Sequence, residues 1–276
     1  MIYKSIELNQ EFATKYELFD ALKKNADDII GIKKKQIVKS MDKGSTVKCK
    51  PLDISKIEGA TKGIELDDSY YYIVVNTTNI LDSHKDLHLL PIWNKTAKEQ
   101  SGKNYLVDTH VLSINTTIAK KEYVKIFVAE IPFNAIGKAY KGNTNALIYQ
   151  IRKDKVIHDK AKEWLESGDA IEASVKMQYI DLVLCMDSDR KEDKAEKKNY
   201  DKYEPEIANK EDFEEDIYYF WAVKEAKNIN ESSLVLFGSN PTTGQLIDAG
   251  KPTSKTEEEP PKGTQKENLL LNYLNI

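Results

Sequence analysis

The sequence predicts an α+β fold, mainly strands with helices at the flanks, on three observations. Runs of β-branched and aromatic residues recur, above all YYYIVVN at 70–76 and IEASVKMQYIDLVLCMD at 171–187; such compositions suit a pleated, half-buried surface. EYVKIFVAEIPF at 122–133 alternates apolar with polar residues, as a sheet with one wet face requires. Phe12, Tyr16, Phe19, Leu22, Ile29 and Ile30 instead recur at helical spacing with charges between them. That spacing predicts an amphipathic helix over 12–30, packed on the sheet.

The remaining elements follow in order. Residues 31–66 are mixed, with short strand candidates in KQIVKS and STVKCKPL and a Gly-Ala-Thr turn near position 60. YYYIVVN breaks into the polar NTTNILDSHKD, which reads as a strand leaving the core for a surface loop. PIWNKTAKEQSG predicts a short helix with Trp93 facing inward, and NYLVDTHVLS a strand. A helix from about 153 to 166 ends at Gly168, a good C-terminal breaker. Residues 187–216 are almost wholly charged and predict a projecting or mobile insertion with short helical pieces. IYYFWAVKEAKNINESSLVLFGSNP reads as two strand-like segments around a polar turn. KPTSKTEEEPPKGTQKE is a linker by composition, and NLLLNYLNI after it is apolar again. The organisation expected is one domain over 1–249, carrying the charged insertion, and a flexible tail over 250–276 with an apolar tip.

Composition excludes several function classes. The 276 residues are 40% hydrophobic, enough for one sizeable core. A net charge of −4, with only Arg152 and Arg190 as arginines, provides neither the clustered positive charge nor the bidentate guanidinium contacts that nucleic acid or an anionic membrane would need. No run approaches the roughly 20 apolar residues of a membrane span. MIYKSIELNQEF lacks the apolar stretch of a signal peptide, so the chain is expected to remain in the cell that makes it. Cys49 and Cys185, far apart, suggest neither a metal pair nor a disulfide framework. No phosphate-cradling glycine loop, zinc pattern or dinucleotide fingerprint is present, and no cofactor is expected.

Four histidines remain to be weighed. His84 and His88 have the i, i+4 spacing of a metal-binding helix, but turn residues and Pro91 argue against a helix there, and no metal is expected. His158 reads as a solvated helix residue. His110 follows Tyr105 and Val107 near the end of an apolar strand pattern. A serine nucleophile needs a base, usually a histidine oriented by a third polar group. Ser174, His110 and Glu231 all sit on or beside strand-like segments, with Asp108 a second acid near the histidine. The same residues also fit a bland assignment: a small core serine, a half-buried histidine and a turn or cap glutamate.

Four stretches, in order over about 70–242, resemble the tailed-phage prohead (capsid maturation) serine proteases, related to herpesvirus assemblin. NTTNILDSHKDLHLLPIWNKTAKE looks like their polar D-S-x-G-D loop and following helix; YLVDTH resembles the strand carrying the catalytic histidine. EASVKMQYI resembles the nucleophile strand, and NESSLVLFGSNP the closing segment. The resemblance implies Ser174 as nucleophile, His110 as general base and Glu231 as third member. It also implies a compact, mainly antiparallel, β-barrel-like sheet flanked by helices. The implied function is an endopeptidase that trims phage scaffold and major capsid proteins, and itself, during head assembly. Its implied location is the cytoplasm of the infected bacterium, inside the procapsid, with retention in the virion and homo-oligomerisation both allowed. Two family glycines are replaced, by Lys85 in the loop and Lys176 after the nucleophile. That leaves an alternative: a catalytically inactive protease-fold component of the virion or procapsid.

Overall fold

In a computed structural model the described residues are 2–35, 52–53, 66–136, 138–213 and 216–247. The elements are β1 (Tyr3–Ser5), β2 (Gln10–Phe12), α1 (Lys15–Lys24), α2 (Ala26–Lys33), β3 (Leu52–Asp53), β4 (Tyr70–Thr77), β5 (Asp86–His88), α3 (Asn94–Gln100), β6 (Tyr105–Asp108) and β7 (Thr117–Ala119). They continue with β8 (Val124–Pro132), β9 (Asn143–Arg152), α4 (Asp159–Ser167), β10 (Glu172–Met186), α5 (Lys194–Tyr203), β11 (Tyr219–Val235) and β12 (Gly244–Ile247).

The fold is α+β, but its sheets do not close into a barrel. One five-stranded sheet runs β10-β11-β6-β7 with β5 also on β11; the other runs β3-β12-β4-β9-β8, and β1 and β2 form a separate ribbon. Most pairs are antiparallel, whereas β5 and β6 pair parallel with β11 and β3 with β12. The main core lies between the two large sheets, with Ile73 and Val75 of β4, Leu147 and Tyr149 of β9, Ala173 and Val175 of β10, and Leu234 of β11. A second core covers the other face of the β4–β9 sheet through Tyr72, Val74, Ala146 and Ile148.

The predicted helix over 12–30 divides into α1 and α2 at Asn25, which ends one helix and begins the next. Thr14 caps α1 in a reciprocal box: its hydroxyl accepts from Glu17 N at 3.2 Å, and the Glu17 carboxylate accepts from Thr14 N at 3.3 Å. Leu18, Phe19 and Leu22 are fully buried, each contributing about 1.5–3 kcal/mol. Trp93 faces inward as predicted. Gly168 ends α4 in the left-handed conformation, at φ 69°, though α4 starts later than predicted because 153–155 form a separate turn. β9, Asn143–Arg152, is a strand that the sequence reading does not assign. The candidates at 36–51 and the turn near 60 lie outside the described residues, as do Cys49 and the tail over 250–276.

Three expectations need correction. NTTNILDSHKD is not a surface loop: Thr77, Thr78, Ile80 and Leu81 are buried, and Asn209 brackets Leu81, donating to its carbonyl and accepting from its amide. Side-chain hydrogen bonds let so polar a stretch be buried. Residues 219–235 contain no reversing turn, since β11 passes unbroken through NIN as one 17-residue strand with an irregularity.

The charged insertion is folded onto the sheet rather than projecting. Ile207, Tyr200, Tyr203 and Phe213 pack with Leu81, Phe220 and Cys185 in a third core, where burial pushes the Cys185 thiol up to about 12. Asp193 anchors it, accepting from Lys23 Nζ at 2.8 Å, Ser188 Oγ at 2.6 Å and Arg190 Nε at 2.8 Å. Burial alone would raise its carboxyl, but these donors outweigh that and hold it at about 2. Because the folded value is depressed, the stabilisation is full above the unfolded value and is lost as pH falls from about 4 to 2. Asp193→Asn is therefore expected to cost about 2 kcal/mol at neutral pH. The gap from wild type should close near pH 2, as read by denaturant unfolding at each pH; a gap independent of pH would refute the anchor.

Candidate active site

The β10–β11–β6 sheet turns one face to the main core and a polar face away from it. Ala173, Val175, Leu234 and Leu106 point into the core. Period-2 alternation places Ser174, Ser233 and Glu231 on the reverse face. They are buried there, at 6%, 0% and 1% exposure. Three polar groups buried together outside the apolar core need partners, and they have them.

The partners converge on His110. Its Nδ1 lies 3.0 and 3.2 Å from the two carboxylate oxygens of Glu231, and its backbone N–H donates to Ser233 Oγ at 2.8 Å. Ser233 Oγ in turn donates to Glu231 Oε2 at 3.1 Å. A carboxylate only accepts, so Nδ1 carries a proton, and in the neutral ring Nε2 is the nitrogen with the lone pair. Nε2 is buried and has no hydrogen-bond partner. Ser174 faces Ser233 directly across the β10–β11 pair, a Cα separation of about 5 Å. Ser174 and His110 therefore flank one β11 residue, from opposite sides, without a hydrogen bond between Oγ and Nε2.

Local backbone irregularity brings the groups together. Thr109 and His110, just past β6, have φ of 47° and 60°, left-handed values costly for non-glycine residues, particularly a β-branched one. Thr109 N donates to Leu234 O at 3.1 Å and Val111 N to Asp108 O at 3.0 Å, holding the turn. On β11, Asn230 has φ 64°, and the pairing with β10 slips between Val175 and Met177, so residues 229–231 bulge opposite Lys176. Strain concentrated on both sides of an ordered carboxylate–imidazole pair is the pattern of a functional site.

Asn228 braces the bulge. It is fully buried; its Nδ2 donates to Lys176 O at 2.9 Å and Glu231 O at 2.8 Å, while Oδ1 accepts from Tyr149 OH at 2.5 Å and from Asn104 Nδ2. Burial pushes the Tyr149 phenol up, keeping it a donor. Asn228→Ala would strand several of these buried groups, at about 1–3 kcal/mol each. The expected loss is about 3 kcal/mol or more in denaturant unfolding; a loss below about 1 kcal/mol would deny the brace.

The sequence-derived residues thus fall as follows. His110 and Glu231 touch, and Ser174 lies across one strand from them. The Nδ1 contacts run to Glu231, not to the alternative acid Asp108. His84 and His88 do not form a metal-binding helix: His88 Nδ1 lies 3.0 Å from Asn76 Oδ1 and Nε2 2.9 Å from Tyr179 OH, in buried β5. Groups of three or more candidate metal ligands are absent among the described residues. His158 is no merely solvated residue; it caps α4, its Nδ1 accepting from Ala161 N at 3.1 Å. Sequence reasoning missed Ser233, whose one clue is its place two residues beyond Glu231 in a strand, and Asn228, which has none.

Lys85 and Lys176, which stand where the resemblance expects glycine, differ in backbone conformation. Lys85 has φ 57°, whereas Lys176 is not among the positive-φ residues and sits in β10. Glycine would relax backbone strain only at 85. Lys85→Gly is expected to be neutral or stabilising by up to about 1 kcal/mol and Lys176→Gly destabilising by about 0.5–1 kcal/mol. Thermal melts compare them, and the reverse order would contradict the backbone reading. Compared with protein-family models, curated proteins and solved structures, the chain matches none.

Proposed function

We propose that the chain is a serine endopeptidase of the prohead-protease type, acting on scaffold and capsid proteins, and on itself, during phage head assembly. One observation carries this reading: a buried carboxylate holds His110 by Nδ1 and leaves the Nε2 lone pair unpartnered, beside the strand bearing Ser174. In the reaction His110 Nε2 takes the Ser174 Oγ proton as Oγ bonds to the scissile carbonyl carbon. The C–N bond then breaks with that proton passing to the leaving amine, and water hydrolyses the acyl ester by the same route. Glu231 steadies the imidazolium throughout. An assemblin-like arrangement, and a location inside the procapsid, belong to the same proposal.

The second reading, a structural head component that keeps the protease fold without turnover, is favoured by the absent Oγ–Nε2 hydrogen bond. Unliganded sites are often looser than working ones, so a test in solution decides. A fluorophosphonate probe should attach once, at Ser174, as mapped by peptide mass spectrometry, and heat-denatured protein should not react. Native protein that stays unlabelled would favour the structural component.

A further inference from the structure

Trp93 and Tyr179 of the main core belong to a buried polar chain that the proposed reaction does not use. Trp93 Nε1 donates to Asn76 Oδ1 at 2.8 Å, and His88 Nδ1 lies 3.0 Å from the same oxygen. His88 Nε2 lies 2.9 Å from Tyr179 OH, which donates to Asp86 Oδ2 at 3.1 Å. Asp86 Oδ1 accepts from Lys33 Nζ at 2.7 Å, and Lys33 also pairs with Glu7 at 3.3 Å. Asn76, Asp86, His88 and Tyr179 are each at most 2% exposed. The chain joins β4 of one large sheet to β5 and β10 of the other, and reaches α2 through Lys33.

The donors and acceptors along this chain fix the charge of His88. An indole N–H only donates, so the Asn76 atom facing Trp93 is its oxygen and has no proton to give. His88 Nδ1, against that oxygen, therefore carries one. Tyr179 has a single hydroxyl proton. With that proton directed at Asp86, the bond to His88 forms only if Nε2 is protonated as well. The other distribution, Tyr179 donating to Nε2, needs a protonated Asp86, which the Lys33 ammonium 2.7 Å away opposes. The neighbouring charges act in the same direction. The carboxylates of Asp86 on β5, Asp82 in the turn before it and Glu7 after β1 stand against the Lys33 ammonium. Lys85 holds its own ammonium over the Phe213 ring, and His84 meets Lys33 through its carbonyl. Burial, with the fields of Asp86 and Asp82, pushes the Tyr179 phenol well above its usual value. A field that resists an anion there favours a cation on the ring bonded to it.

We propose that His88 is a buried imidazolium at neutral pH, and that its second proton is a pH-sensitive bolt between the two large sheets. Loss of that proton leaves Tyr179 with one hydrogen for two buried acceptors, Nε2 and Asp86 Oδ2, and an unmet buried acceptor destabilises the fold. The proton is held more tightly in the folded chain than in the unfolded one. The stabilisation is therefore full below the unfolded histidine value of about 6.5, and is lost as pH rises through the folded value. The proposal does not depend on the reactivity of Ser174.

The test uses the full chain with isotope-labelled histidine, its imidazole nitrogens read by long-range proton–nitrogen correlation NMR across pH. The chain has four histidines, so His84→Gln, His110→Gln and His158→Gln assign three signals and leave His88 unaltered. At about pH 7.5, roughly one unit above the usual histidine value, both His88 ring nitrogens are expected to be protonated. A single protonated nitrogen, whichever it is, would overturn the proposal. Tyr179→Phe removes the hydroxyl through which the ring reaches Asp86, and the His88 titration midpoint is expected to fall by about one unit or more. An unchanged midpoint in that variant would overturn the relay through Tyr179. In thermal melts the stability gap between wild type and Tyr179→Phe should narrow as pH rises through the wild-type midpoint, and a constant gap would overturn the bolt.

Discussion

Ser174→Ala is expected to abolish peptide-bond cleavage while leaving the fold intact. The substitution removes one oxygen from a residue 6% exposed on the reverse face of β10, away from the core-facing Ala173 and Val175. The structural cost should therefore be small. The chemical cost should not be: without Oγ no acyl-enzyme forms, and loss of a serine nucleophile lowers turnover by about 10⁴-fold or more. Wild-type and variant chains, incubated alone and with the neighbouring capsid protein, would be followed by intact mass. Fragments from the wild type alone are the expected result. Equal fragmentation in both would eliminate Ser174 as nucleophile, and intact chains throughout would favour the structural component.

Glu231→Gln is the second large effect, expected to lower cleavage by about 10³–10⁴-fold. Both carboxylate oxygens accept, one from Ser233 Oγ and both within reach of His110 Nδ1. A glutamine amide has one oxygen and one NH₂, so it cannot accept at both places. With the NH₂ towards the imidazole, Nδ1 must become the acceptor and Nε2 takes the proton, leaving no base for Ser174. With the NH₂ towards Ser233, the support of an imidazolium by full negative charge is still lost. The fluorophosphonate labelling rate reports this without a known substrate, and a melting temperature close to wild type separates it from unfolding. A variant labelled as fast as wild type would remove Glu231 from the site.

The polar face also explains why the site was half legible before folding. Ser174 and Glu231 stand in strongly patterned strands, where an out-of-place polar residue invites a question. His110 follows such a strand. Asn228 and Ser233 gave no comparable signal, because their importance comes from partners distant in sequence: Asn104, Tyr149 and Lys176 for the one, His110 for the other. The bulge at 229–231 misled for a related reason. NIN looks like a turn because asparagine tolerates positive φ, and it does so here at Asn230, but the residues around it continue one strand.

The charged insertion shows the limit of composition. Its charges suggested solvent on every side, yet a few well-spaced side chains, Tyr200, Tyr203, Ile207 and Phe213, suffice to hold it on the sheet. Asp193 is buried there only because α1 presents Lys23 and the insertion its own Arg190. Local sequence by itself determined the strands β4, β8 and β10, the inward Trp93, the stop at Gly168 and the α+β class, because residue spacing and backbone propensity act over a few neighbours. Only tertiary structure decided that the sheets remain open, that NTTNILDSHKD is buried, and that His110 meets Glu231 across from Ser174. Those outcomes depend on which strands pair and in which register, and pairing energy is set between segments tens to more than a hundred residues apart.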